Sequence, residues 1–366
     1  MPTTYRVIGL MSGTSLDGLD MAYCELTPEP DRWSYCIKEA ETVGYDTYWK
    51  DTLARITEAS GEDLMLADQQ LGQWMGQAVR NFIDKHRLQP DFIASHGHTV
   101  FHQPERRMTY QMGSNFALHA ACGIPVVGNF RNYDVSIGGQ GAPLVPIGDR
   151  LLFSEYDYCL NLGGVANIST ELVGQRIAYD IGTANMVLNY FARQQGLAYD
   201  NGGKLAASGT ADAQWLKQLN ALDYYQAPFP KSLGYEWIYR YIIAPLEQSG
   251  LPTKDILATA THHAAQQIAH NVKMLREKKG SCQSTRVLVT GGGAFNDYFM
   301  QCVRQYTEGD VSYVIPEEKL ISFKEALVFA LLGVLRVRNE VNCLQSVTGA
   351  AQDHSAGLIY GNVQVI

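Results

Sequence analysis

Charge is scarce in this chain. Only 18% of its 366 residues are Lys, Arg, Asp or Glu, and 29 basic against 37 acidic residues leave a formal charge of −8. The two signs are interspersed, which argues against a nucleic-acid surface or an anionic membrane as partner, so an anionic ligand would need a local trap of backbone N–H groups. Long apolar runs are also missing. The longest, Ala326 to Leu335, is too short to span a bilayer. The seven cysteines (24, 36, 122, 159, 282, 302 and 343) form no C-x-x-C pair, and their odd number fits reduced thiols rather than a zinc or disulfide scaffold. The start, Met1-Pro2-Thr3-Thr4-Tyr5-Arg6, runs into a strand-like segment without an apolar leader, and the expected location is the cytoplasm. No G-x-x-x-x-G-K-[ST] occurs, and no G-x-G-x-x-G lies between a strand and a helix, which disfavours a P-loop kinase and a Rossmann dehydrogenase.

What is present is an ordinary globular composition, 46% hydrophobic, on a chain longer than one core usually supports. Strand-like runs at Val7 to Gly13 and Leu19 to Leu26 flank a small-residue turn, with a third strand expected at Tyr35 to Gly44. Helical spacing runs from Tyr45 to Arg87, a short buried strand follows at Asp91 to Ser95, a helix at Ser114 to Gly123, and a strand at Pro125 to Phe130. The Gly138-Gly139-Gln140-Gly141-Ala142-Pro143 link marks the expected domain crossing. Beyond it the opening pattern returns: a hairpin at Tyr158 to Val173 and a strand at Arg176 to Asp180. Helices are expected at Thr183 to Gln195, Ala211 to Leu222, Tyr235 to Gln248 and Lys254 to Lys279, a strand at Arg286 to Thr290, and a last helix at Ser322 to Arg338. The expected domains are residues 1–135 and 136–366, two similar α/β domains with an active-site cleft between them.

Three glycine-rich turns carry the functional signal, because small side chains let backbone N–H groups point at phosphate oxygens. The first comprises Gly13, Thr14, Ser15, Leu16, Asp17, Gly18, Leu19 and Asp20, where the Asp17 carboxylate would hold Mg²⁺ through water; its plain reading is a hairpin turn. The second, with Gly163, Gly164 and Asn167, has the same strand-turn-strand setting. The third, Gly291, Gly292 and Gly293, follows a buried strand and opens a helix, which suits a flat adenosine. Asp180 ends a strand and reads either as a general base or as a helix N-cap. His96, His98 and His102 lack a nearby carboxylate or cysteine cluster and are read as substrate-contacting or packing residues rather than metal ligands, and His262 and His263 as structural.

The order of these turns is similar to that of the sugar kinase/Hsp70/actin superfamily. Met-Ser-Gly-Thr-Ser-Leu-Asp-Gly-Leu-Asp at Met11 to Asp20 resembles the signature of anhydro-N-acetylmuramic acid kinases. Further matches span most of the chain, among them Ser95 to Thr99, Asn129 to Arg131, Gly138 to Leu144, Asn161 to Asn167, Asp180 to Asn185, and Lys324 to Ala326. The departure is His98, where glutamine is expected. The resemblance implies two actin/hexokinase-type (ribonuclease H-like) domains, ATP and Mg²⁺ as cofactors, Asp180 as catalytic base, and His96, Thr99, Arg131 and Glu325 as sugar contacts. It also implies a homodimer. The expected reaction opens the 1,6-anhydro bridge of the sugar and phosphorylates O6, with another sugar or polyol kinase, or an ATP-binding switch, as the rival readings.

Overall fold

The computed structural model describes residues 4–13, 16–30, 32–280 and 284–363. Its contacts divide the chain into two units, 1–152 with 323–366, and 153–322. This division differs from the expected crossing near 135. The chain crosses at 152/153 and returns at 322/323, inside the helix Glu318–Val337, where Phe323 leaves helical geometry at φ −115°, ψ 15°.

In the first unit β1 (Tyr5–Ser12), β2 (Gly18–Pro28) and β3 (Trp33–Gly44) form an antiparallel meander. Next, β4 (Phe92–Gln103) pairs parallel with β1, β5 (Met108–Met112) folds back antiparallel on β4, and β6 (Val126–Gly128) pairs parallel with β4. A short final strand, Leu358–Tyr360, closes the far edge antiparallel to β6. Val7, Ile8 and Leu10 of β1 are wholly buried, as expected of a central strand covered on both faces. One face is covered by α1 (Gly61–His86), capped by Ser60, whose hydroxyl accepts the Asp63 N–H. Its buried Leu71, Met75, Ala78, Val79 and Phe82 fall on one helical stripe facing the sheet.

The second unit repeats this order. β7 (Tyr158–Leu162), β8 (Val165–Leu172) and β9 (Gln175–Thr183) form the meander, and β10 (Thr285–Thr290) and β11 (Val311–Val314) add in parallel beside β7. The strand order 3-2-1-4-6 of the first sheet is thus matched by 9-8-7-10-11 in the second. That repeat is the actin/hexokinase-type architecture the turns implied. Helices α2 (Asn185–Arg193), α3 (Thr253–Lys279) and α4 (Asp297–Tyr306) carry much of the remaining core, joined by Leu219 and by Ile238, Ile242, Ile243 and Leu246.

Some elements differ from expectation. The helix expected over Tyr45 to Arg87 breaks at Ile56–Glu58 into Thr47–Arg55 and α1. β4 continues to Gln103 through a mostly polar stretch in which only Val100 and Phe101 are large and apolar, and β5, β11 and the final strand are too short to show a period.

Candidate functional site

The turn joining β1 to β2 stands on Ser12, which is buried, with its hydroxyl 2.7 Å from the Tyr45 hydroxyl and 2.9 Å from His98 Nδ1. His98 therefore supports the turn, a role a glutamine amide would also fill. Leu16 adopts φ 59°, uncommon for a bulky residue, while its side chain packs on the core. Gly18 is required by β3: a Cβ there would lie 2.3 Å from the Val43 carbonyl oxygen. Leu19 is wholly buried, so of this turn's residues Gly13, Leu16, Asp17 and Asp20 keep a surface. Thr14 and Ser15 lie outside the described residues. Burial pushes the Asp20 carboxyl up, the Thr42 hydroxyl that donates to it at 2.6 Å opposes this, and the Asp17 charge adds to it. Ser12→Ala removes a buried partner of both Tyr45 and His98, and we expect a stability loss of about 1–3 kcal/mol, read as a lower urea midpoint.

Four residues expected to contact sugar lie in the first unit. Arg131 follows β6, and its Nε donates to His96 Nε2 at 2.9 Å while Nη1 donates to the Gly141 carbonyl. His96 Nδ1 in turn donates to the Gly97 carbonyl at 2.8 Å, which leaves Nε2 as the acceptor Arg131 needs. Burial pushes the His96 pKa well below the ordinary range and the Arg131 charge pushes it further, so the ring is neutral. Glu325 keeps an exposed surface, yet the protein around it pushes its carboxyl up, against the opposing charges of Arg131 and Lys324. Lys324 itself is buried and paired with Asp149 at 2.8 Å. Thr99 is half-buried on β4, opposite Gln111. The three histidines of β4 do not converge: His96 serves Arg131, His98 serves Ser12, and His102 Nδ1 lies 3.1 Å from the Thr109 hydroxyl.

The second unit brings its two glycine turns together. Gly291, at φ 81°, packs so closely that a Cβ would lie 2.6 Å from Asn161 Oδ1 and 2.7 Å from the Leu162 carbonyl carbon. A Cβ on Gly293 would meet Leu162 Cβ at 2.7 Å. Gly164 and Gly292 are exposed instead. The start of α2 closes on the same turn: Asn185 N–H donates to the Gly163 carbonyl at 3.1 Å, and the Asn185 side chain to the Leu162 carbonyl at 2.9 Å. Asn296 caps α4 after the third turn, through the Phe299 N–H at 3.0 Å.

Asp180 stands directly across from Asn167 in the β8–β9 register, beside a bulge at Ile181. A segment far along the chain clamps it. The Leu233 N–H donates to Asp180 Oδ2 at 2.9 Å, the Tyr224 hydroxyl to the Asp180 carbonyl at 2.7 Å, and the Asp180 N–H to the Lys231 carbonyl at 3.0 Å. Among the described residues no hydrogen bond reaches Oδ1. Half-burial pushes the carboxyl above the usual range, partly opposed by the Leu233 N–H. No sequence signal marked Tyr224, in the short helix Asp223–Gln226, or Lys231 and Leu233 as partners of Asp180, since they lie 44 to 53 residues away. His263, fully buried, is held by Asn220 at 2.8 Å with its pKa pushed down to about 3 by burial, and His262 sits between the Tyr298 and Tyr306 hydroxyls.

The model of the anhydro-N-acetylmuramic acid kinase family matches residues 5–362. An anhydro-N-acetylmuramic acid kinase from Mannheimia succiniciproducens is 34% identical over 379 residues, covering 96% of this chain and 98% of the relative. One from Sulfurimonas denitrificans is 32% identical over 375 residues with the same coverage. Among solved structures a hexokinase matches with TM-score 0.41 at 11% identity, covering 90% of this chain and 85% of that one. That score is low, and the fold assignment stands on the repeated strand order. No helix of the described residues is long and apolar enough to cross a membrane. Matched along nearly its whole length by the family model and by relatives of its own size, the chain belongs to the anhydro-N-acetylmuramic acid kinase family.

Proposed function

We propose that this chain opens 1,6-anhydro-N-acetylmuramic acid with water and transfers the γ-phosphoryl group of ATP to O6, giving N-acetylmuramic acid 6-phosphate and ADP. The observation that carries the reading is Asp180, clamped through one oxygen while the other has no hydrogen-bond partner among the described residues, across from Asn167 of a glycine-rich turn. Asp180 takes a proton from the water that attacks C1. The C1–O6 bond breaks, O6 leaves with the bond's electron pair, and it attacks phosphorus in line. The departing oxygen is captured by phosphorus and needs no separate acid, so one carboxylate serves where a glycosidase commonly uses two.

The remaining assignments follow the family pattern. Gly13 to Asp20, with Gly163, Gly164 and Asn167, bind the phosphates, and Gly291 to Gly293 bind adenosine. His96, Thr99, Arg131 and Glu325 contact the sugar, with Arg131 placed on its lactyl carboxylate because a planar guanidinium can grip two oxygens. Asp17, exposed at the first turn with Asp20 nearby, offers the hard oxygen donors that suit Mg²⁺, held through water. When bound, that ion neutralises phosphate charge. We read the protein as a cytoplasmic homodimer serving cell-wall sugar recovery.

Two measurements test the chemistry. In H₂¹⁸O the product should gain one ¹⁸O on the sugar and none on the phosphoryl group, whereas label on phosphate would mean that water attacked phosphorus. Because burial raises the Asp180 pKa, the base loses its charge as pH falls through that raised value. The acid limb of kcat/KM should therefore lie above pH of about 3.9, the ordinary aspartate value, and should vanish in Asp180→Asn. An acid limb retained in that variant would assign the titration to another group.

A further inference from the structure

We propose that Asp134 is a positioning residue for the sugar site: its buried carboxylate holds Gly141, and Gly141 holds the Arg131 guanidinium. The inference rests on reading Arg131 as the group that grips the lactyl carboxylate. Asp134 is wholly buried, and its two oxygens are both occupied: Oδ2 accepts the Gly141 N–H at 2.7 Å and Oδ1 the Thr348 hydroxyl at 2.7 Å. Its backbone carbonyl accepts the Gly139 N–H at 2.8 Å, and the Gln140 N–H donates to the Thr348 carbonyl at 2.8 Å. The glycine link is thus wrapped around one carboxylate. Only glycine allows this, since a Cβ on Gly139 would lie 2.1 Å from Asp134 Oδ2 and Gly141 sits at φ 68°.

From Gly141 the path to the ligand is short. The Gly141 carbonyl takes Arg131 Nη1–H and His96 takes Nε–H. Two of five guanidinium N–H groups are thereby fixed. The other three, one on Nη1 and two on Nη2, remain for a carboxylate gripped in bidentate fashion. His354 Nε2 faces Asp134 Oδ1 at 3.5 Å, and the ligand-type atoms of Asp134, Cys343 and His354 lie within 4.8 Å of one another. Each carboxylate oxygen accepts one of the two hydrogen bonds that hold the glycine link and Thr348 in place.

The test compares two sugars, 1,6-anhydro-N-acetylmuramic acid and 1,6-anhydro-N-acetylglucosamine, which has the same bridged ring without the lactyl carboxylate. Asp134→Asn cannot accept from both Gly141 and Thr348. It should raise KM for the carboxylate sugar roughly ten- to a hundredfold while leaving kcat and the KM for ATP near native. Thr348→Val should act in the same direction more weakly, and Thr348→Ser, which keeps the hydroxyl, should behave as native. This pair carries the test if Asp134→Asn does not fold. Turnover of the carboxylate-free sugar should be the same in all of them. Equal KM increases for both sugars would mean general loosening and would overturn the proposal. So would native KM values in Asp134→Asn and Thr348→Val alongside a raised value in Arg131→Ala, which would leave the Arg131 reading standing. A native KM in Arg131→Ala would remove that reading and the proposal with it.

Discussion

Asp180→Asn should lower turnover of the anhydro sugar by about 10²–10⁴-fold, the range a positioned general base contributes, while ATP binding by calorimetry stays native. The physical ground is the asymmetry of the carboxylate. The Leu233 N–H needs an acceptor at 2.9 Å, so the asparagine carbonyl turns toward it and the amide NH₂ occupies the open position. An amide there donates where the mechanism requires an acceptor, yet the side chain keeps its shape and its clamp. A rate within about tenfold of native would place the base elsewhere.

The second large effect is on stability. A Cβ on Gly9 would lie 1.9 Å from the Ala326 carbonyl oxygen and 2.7 Å from its carbon, both backbone atoms of the helix Glu318–Val337. Neither partner is a flexible side chain, and β1 is buried on both sides of this contact. Gly9→Ala should therefore destabilise the protein by about 3 kcal/mol and lower its melting temperature by about 6–12 °C. Gly61→Ala is the matched control, because nothing lies within 4 Å of a Cβ there and the position opens α1. It should melt at or slightly above the native temperature. Equal melting of the two variants would mean that the helix does not press on β1 as described.

Much of this was legible from local chemistry. Strand β1 and the meanders announced themselves as apolar runs bounded by glycine turns, whereas β9, expected to end at Asp180, runs on through it to Thr183. The twofold repeat was visible for the same reason. What was not legible depended on distance along the chain. The clamp on Asp180 comes from Tyr224 to Leu233, and the bond from Thr348 to Asp134 joins residues 214 apart. No period or spacing marks such partners. The expected domain crossing at the glycine link failed for a related reason: those glycines wrap the Asp134 carboxylate within the first unit, and the helix Val145–Leu152 still belongs to it.

The central claim, that opening of the bridge and phosphorylation are one event on one sugar, is tested most directly by ADP release. The assay compares 1,6-anhydro-N-acetylmuramic acid with N-acetylmuramic acid and glucose at equal concentration, with ATP and Mg²⁺ supplied. The account predicts turnover of the anhydro sugar alone, since only the bridged substrate delivers O6 as a leaving group. Comparable ADP release with N-acetylmuramic acid would show that the enzyme phosphorylates a free hydroxyl, and would contradict the coupled mechanism.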